Sequence, residues 1–293
     1  MGTTHGGRLL KSPSPFRRPT GSTPVAFVRL LAEVTQAEEQ DRTRRANRSG
    51  RPRKAGAGRQ PALPLSDRRL MLLIYYRTDV PHAFPAFRSG LDGSNASRSN
   101  RRREPLLAGI FRTPERKVVL GEDEAQDRLF GSTEGPTNRP EGGQKPFDSG
   151  KKKRRTLTPQ VVVTRVKKRP GVGNPRRRVR VVAASETCPG STHDETVYDR
   201  TGVTMPPRVK GCGDAADTGV PLETPRRKPE DGGLTKRQKA GGRRVSRRRI
   251  VVEHGVGKMK AWRVAAERWR NPRRRHTVMM ENVAGRHNRM FAE

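Results

Sequence analysis

The chain has 293 residues, with 64 Lys+Arg against 29 Asp+Glu and a formal net charge of +35. A surplus of that size predicts salt-sensitive attraction to a polyanion, nucleic acid before any other. No apolar run approaches bilayer length, so a membrane-spanning role is excluded.

The opening residues lack the apolar stretch of a secretory signal, and the sixth residue is not the Ser or Thr of a myristoylation signal. The hydrophobic fraction of 30%, beside 30 Gly and 24 Pro, is thin for this length, so part of the chain is expected to be disordered. Cys188 and Cys212 give neither a disulfide framework nor a zinc quartet, even with His193 five residues after Cys188. A reducing, cytoplasmic setting is the expectation.

Residues 1–60 read as a basic, mostly disordered arm, with "RTRRANRSGRPRKAGAGRQP" free of periodicity. One helix interrupts it, with Thr23 as N-cap, Pro24 as its first residue and Val25, Val28 and Leu31 as an apolar stripe. A helical domain is expected over 61–115. "LSDRRLMLLIYYRTDV" is apolar enough for a core helix with Ser66 as its cap, and after "PHAFPAFRSGLDG" a second helix opens at Ser94. Its Asn95, Ser97, Arg98, Arg101 and Arg102 have the short polar and basic character of a helix-turn-helix that contacts base edges and phosphates. A charged surface helix on an αα-hairpin explains the same pattern.

Beyond an acidic linker, 125–290 reads as a mixed α/β domain. The β-branched runs "TLTPQVVVTRV" and "RRRVRVVAASE" predict a hairpin, and "CPGSTHDETVYD" a loop entering a helix. The stretch "RRRIVVEHGVGKMKAWR" puts one acid, Glu253, among cations. On a helix Arg249, Glu253 and Lys260 project within about 40° of one another. Val245, Val252, Val256, Met259, Trp262 and Trp269 fall mainly elsewhere and can face a core. Two readings fit: a solvated Arg–Glu pair worth a few tenths of a kcal/mol, or a carboxylate offered with cations to a phosphate backbone or a metal.

Taken together, "SGKKKRRTLTPQVVV", "CPGSTHDETVYD" and "SRRRIVVEHGVGKMKAWRVAAERWRNPRRRH" resemble the DDE superfamily endonucleases, the transposases of bacterial insertion sequences. Upstream, "LLIYYRT", "SNASR" and "EPLLAGIF" look like that family's helix-turn-helix, so the resemblance covers about residues 65–290. It implies a ribonuclease H-like α/β domain preceded by a helix-turn-helix domain. It also implies metal-dependent DNA strand cleavage and transfer, with three carboxylates holding two Mg²⁺ (or Mn²⁺) ions about 4 Å apart. The partners implied are the terminal inverted repeats of the element, target DNA and further copies of the chain, in a bacterial, nucleoid-associated setting. By motif position the third carboxylate and metal ligand is Glu253, the second is Asp214, and Arg249 and Lys260 are basic companions on the DNA backbone. Lys151, Lys152 and Lys153, inside a matching block, become phosphate contacts, although a solvated hairpin edge explains them too.

The first carboxylate is missing. Where the family has Asp-x-Thr-Glu, this chain has Gly131, Ser132, Thr133 and Glu134. Asp127 is about 13 Å away along a strand, and Glu134 is aimed at the opposite face by its odd spacing, so neither is expected to substitute. Ala216, Asp217 and Thr218 depart from the family's Gly-Tyr-Gln-Gly. Asp148 replaces an aromatic and Arg88 an apolar residue, changes that cost several kcal/mol if those groups are buried unpaired. The expectation is a catalytically impaired transposase, or a DNA-binding remnant without catalysis. A generic RNA- or ribosome-associated protein explains the charge but not these motifs.

Overall fold

The computed structural model describes residues 10–50, 61–111, 118–119, 129–139, 142–165, 179–200, 203–204, 211–213, 222–225 and 232–290. The chain divides into two units, Met1–Phe111 with Trp262–Val264 and Glu293, and Arg112–Ala261 with Ala265–Ala292.

The first unit is helical: α1 (Pro13–Thr20), α2 (Pro24–Ala46), α3 (Leu65–Thr78), α4 (Ala83–Arg88) and α5 (Gly93–Phe111). Thr23 caps α2 as expected, its hydroxyl accepting from the Ala26 N–H at 3.2 Å, with Pro24 at the first position. The apolar stripe is a different one. Val25 and Val28 are 64% and 52% exposed, whereas Phe27, Leu30 and Val34 are buried. The spacing 27, 30, 34 is as helical as 25, 28, 31, and it buries a phenyl ring where the other would bury a valine. Phe27 packs edge-on against Phe16 of α1 and joins Leu70 and Leu73 of α3. Much of the stretch expected to be a disordered arm is therefore packed helix, while 1–9 and 51–60 lie outside the described residues.

Pro64, not Ser66, is the N-cap of α3. The connector "PHAFPAFRSGLDG" carries a helix of its own, α4, whose Ala86 packs on Met71 and Ala96. The two helices joined by the glycine-containing turn are thus α4 and α5.

In the second unit the strands are β1 (Val118–Val119), β2 (Leu129–Ser132), β3 (Gly135–Pro136), β4 (Asp148–Ser149), β5 (Arg154–Thr158), β6 (Gln160–Arg165), β7 (Val179–Ala184), β8 (Cys188–Pro189), β9 (Val203–Thr204), β10 (Gly211–Cys212) and β11 (Leu222–Glu223). The principal sheet runs β11-β10-β2-β6-β7. β2, β6 and β7 are antiparallel, and β10 and β11 add in parallel. The expected hairpin is β6–β7. Pro159, which has no N–H for a ladder, separates β5 from β6, and β5 pairs instead with β3, β4 and β8.

The longer helices of this unit among the described residues are α6 (Asp194–Asp199), α7 (Lys236–Lys260) and α8 (His276–Arg289). A capping box between Thr235 and Gln238 starts α7. Alternation along β2 sends its residues to opposite faces. Phe130 meets Tyr198 of α6 at 5.2 Å between ring centroids, and Gly131 meets Val252 of α7. Gly255 allows α7 to close on β6 and β7, since a Cβ there would stand 2.9 Å from Val163 Cγ1. On the outer strand β7, the Asn288 side chain of α8 donates to Val181 O at 2.7 Å and accepts from Val181 N–H at 2.9 Å. His287 donates from Nε2 to Val179 O at 2.7 Å, so two side chains occupy backbone groups that an edge strand leaves open.

Val245, Val252 and Met259 of α7 are buried as expected, joined by Val251. Trp262 and Trp269 are also buried, the former in the first unit and the latter in the second. Asp148 is exposed and pairs with Arg155 at 3.4 Å, so the burial cost expected for it does not arise. The Arg88 side chain lies outside the described residues. Among the described residues no helix is long and apolar enough to cross a membrane.

Candidate functional site

The residue pattern of α7 places its apolar side on the sheet and its cations outward. Val252 and Gly131 are in direct contact, so Glu253 stands one residue from the point where α7 touches β2. Glu253 is exposed, and among the described residues no hydrogen bond or ion pair reaches it. The solvated Arg249–Glu253 pair is therefore not formed; Arg249 is half-buried and engaged elsewhere.

Lys260, two helical turns beyond Glu253, is exposed at the end of α7. Desolvation lowers its pKa, Lys152 and Arg154 act in the same direction, and Glu134 opposes them. Glu134 is itself held by the Thr156 hydroxyl, which donates to Oε2 at 3.0 Å. The fold thus gathers Lys260, Lys152, Arg154 and Glu134. The sequence groups Lys260 with Arg249 and Glu253 on one helix face and aims Glu134 away from the expected carboxylate position. The signal it lacked was the pairing of β3 with β5, which brings Glu134 next to Thr156.

The three lysines occupy the turn between β4 and β5. Ser149 fixes it, its carbonyl accepting from Lys153 N–H at 2.8 Å and its hydroxyl from Lys152 N–H at 3.1 Å. Lys151, Lys152 and Lys153 are all exposed, Lys153 with φ of 51°. Along the first half of α7, Arg243, Arg244, Arg247 and Arg248 line a hollow of about 410 Å³. Glu223 of β11 accepts from Arg248 at 2.8 Å and from Arg244 at 3.3 Å. In the first unit, Asn95, Arg98, Arg101 and Arg102 are exposed on α5 and Ser97 is half-buried.

Asp214 lies outside the described residues, two positions beyond Cys212, which pairs with Leu129 of β2. Asp127, Ala216, Asp217 and Thr218 also lie outside them. Among the described residues no group of three or more His, Cys, Asp or Glu is placed to hold a metal ion. Where the sequence leads one to expect the first carboxylate, Gly131 offers no side-chain oxygen, and a Cβ built there would overlap Val252 Cγ1. Of the three expected carboxylate positions the described residues include two, Gly131 and Glu253.

A family profile described as DDE superfamily endonuclease matches residues 130–288, from β2 through α8. The chain belongs to the DDE superfamily endonucleases. This DDE endonuclease is also 27% identical over 281 residues to a protein of Microchaete diplosiphon described as "Probable transposase for insertion sequence element IS702", covering 93% of each chain. No solved structure matches it. The family match starts at Phe130, beside Gly131.

Proposed function

We propose that this DDE endonuclease is an insertion-sequence transposase that binds DNA but is impaired in strand cleavage. In this reading the second unit is a ribonuclease H-like domain, supported by a mixed five-stranded sheet with α6 and α7 on opposite faces of β2. The first unit is its helix-turn-helix domain, supported by the α4–turn–α5 arrangement. The substrates are the ends of the element and its target DNA, and bringing two ends together calls for more than one copy of the chain.

The observation that carries the reading is the contact of Gly131 with Val252. Glycine brings no carboxylate to this position, and Val252 fills the space a side chain there would need. Asp214 and Glu253 are the remaining catalytic and metal-ligand candidates. Lys151, Lys152, Lys153, Arg249 and Lys260 are assigned to the phosphate backbone. Each is a cation on the same unit as Glu253, and such contacts hold DNA without reading its sequence. Complete loss of catalysis, leaving a DNA-binding remnant, is the limiting case.

The test is a pair of measurements on the full chain: duplex binding by fluorescence anisotropy across a salt series, and nicking of supercoiled plasmid in Mn²⁺. Binding with a steep salt dependence and no nicking is expected. Nicking that Glu253→Gln abolishes would overturn the impairment, because the site would then hold its ions without a carboxylate at 131.

A further inference from the structure

We infer that a hollow between α3 and α5 in the first unit takes a backbone phosphate of duplex DNA, gripped by Arg68, Arg98, Arg102 and Arg103. The inference rests on the DNA-binding reading above and deepens it, assigning to phosphate the α5 residues for which the sequence left base edges and phosphates both open.

The hollow measures about 540 Å³. Asn95, Arg98, Ser99, Arg102 and Arg103 form one wall, spaced 3, 1, 3 and 1 residues apart, which is a single helical face. Arg68 of α3, the 61–63 segment and the Gly90–Asp92 turn complete the lining. Four guanidinium groups meet two carboxylates here, and both carboxylates are engaged. Glu38 of α2 holds Arg103 at 2.8 Å and reaches Arg68 at 3.9 Å. Asp92 accepts from the Ser94 N–H at 2.7 Å. Arg102 has no hydrogen bond or ion pair among the described residues, and Arg98 donates only to Ser94 O of its own helix, at 3.2 Å.

Concavity and charge select the ligand. Arginine forks match the paired oxygens of a phosphate. Base edges in a groove are met by side chains that project from a convex helix face, whereas these residues converge on a recess. Arg101 is exposed and does not line the hollow, so it stays available for the groove. Arg103 is buried and fixed by Glu38, giving the recess a rigid back wall.

The experiment measures the salt dependence of binding to a short random-sequence duplex for the full-length protein. The variants are Arg98→Ala, Arg102→Ala, Arg102→Lys and Arg29→Ala, the last removing an exposed charge from α2 outside the hollow. Each phosphate contact contributes close to one unit of slope in log Kobs against log salt. Arg98→Ala and Arg102→Ala are expected to flatten the slope by roughly 1 each. Arg102→Lys keeps the slope but binds more weakly, and Arg29→Ala matches wild type. Thermal melts by circular dichroism confirm that the variants fold. Unchanged slopes for Arg98→Ala and Arg102→Ala, or an equal flattening by Arg29→Ala, would overturn this site while leaving DNA binding intact. A wild-type protein that binds no duplex at any salt would overturn the DNA-binding reading itself.

Discussion

Val252 of α7 occupies the space that any side chain at Gly131 of β2 would need. The glycine is thus a packing residue, and placing an acid at this position is a two-residue problem. Gly131→Asp alone is expected to destabilise the protein by about 1–3 kcal/mol through overpacking. Adding Val252→Ala removes the obstructing methyl groups and should recover part of that loss. Urea denaturation of the single and double variants checks this; equal destabilisation in both would show that Val252 is not the obstacle.

His276 is buried, and its ring lies 2.9 Å from the Thr187 hydroxyl. Burial pushes its pKa down to about 3 from the ordinary 6.5. Desolvation also lowers His287. Between those two values an unfolded chain binds a proton at 276 that the folded chain refuses. Stability from this residue is therefore complete above pH 6.5 and is lost as pH falls towards 3, by up to roughly 1.4 kcal/mol per pH unit. Denaturation midpoints measured from pH 7 to pH 4 should fall more steeply in the wild type than in His276→Gln.

Arg69 of α3 is fully buried, and none of its three side-chain nitrogens has a hydrogen-bond partner among the described residues. Burial drives its pKa down to about 9, with Arg103 adding to the effect and Glu38 opposing it. An apolar side chain of similar length avoids that desolvation, so Arg69→Met is expected to stabilise the protein by about 1–4 kcal/mol. A lowered melting temperature would mean that the guanidinium is satisfied in solution.

Asn288 substitutes for a neighbouring strand along β7, satisfying both backbone groups of Val181. Asn288→Leu leaves a partly buried donor and acceptor unpaired, and a loss of about 2 kcal/mol is expected. Hydrogen exchange at Val181 locates the effect. Unchanged protection there would assign the loss elsewhere.

The sequence by itself determined the family, the cap of α2, the β6–β7 hairpin and the burial of Val245, Val252 and Met259. Those features depend on local spacing, on turn chemistry and on ordered motif blocks, all of which are written in consecutive residues. It also showed that Gly131 carries no side-chain oxygen. Tertiary structure decided the rest. Spacing allowed two stripes on α2, and only packing against Phe16, Leu70 and Leu73 selected Phe27 over Val25. Asp148 carries no burial cost because the fold leaves it exposed and pairs it with Arg155. The meeting of Glu134 with Thr156 depends on which strands pair, and the closure of Gly131 by Val252 depends on how near α7 lies to β2. Distances between segments remote in the chain follow from the balance of all packing contacts together, which no local window of sequence contains.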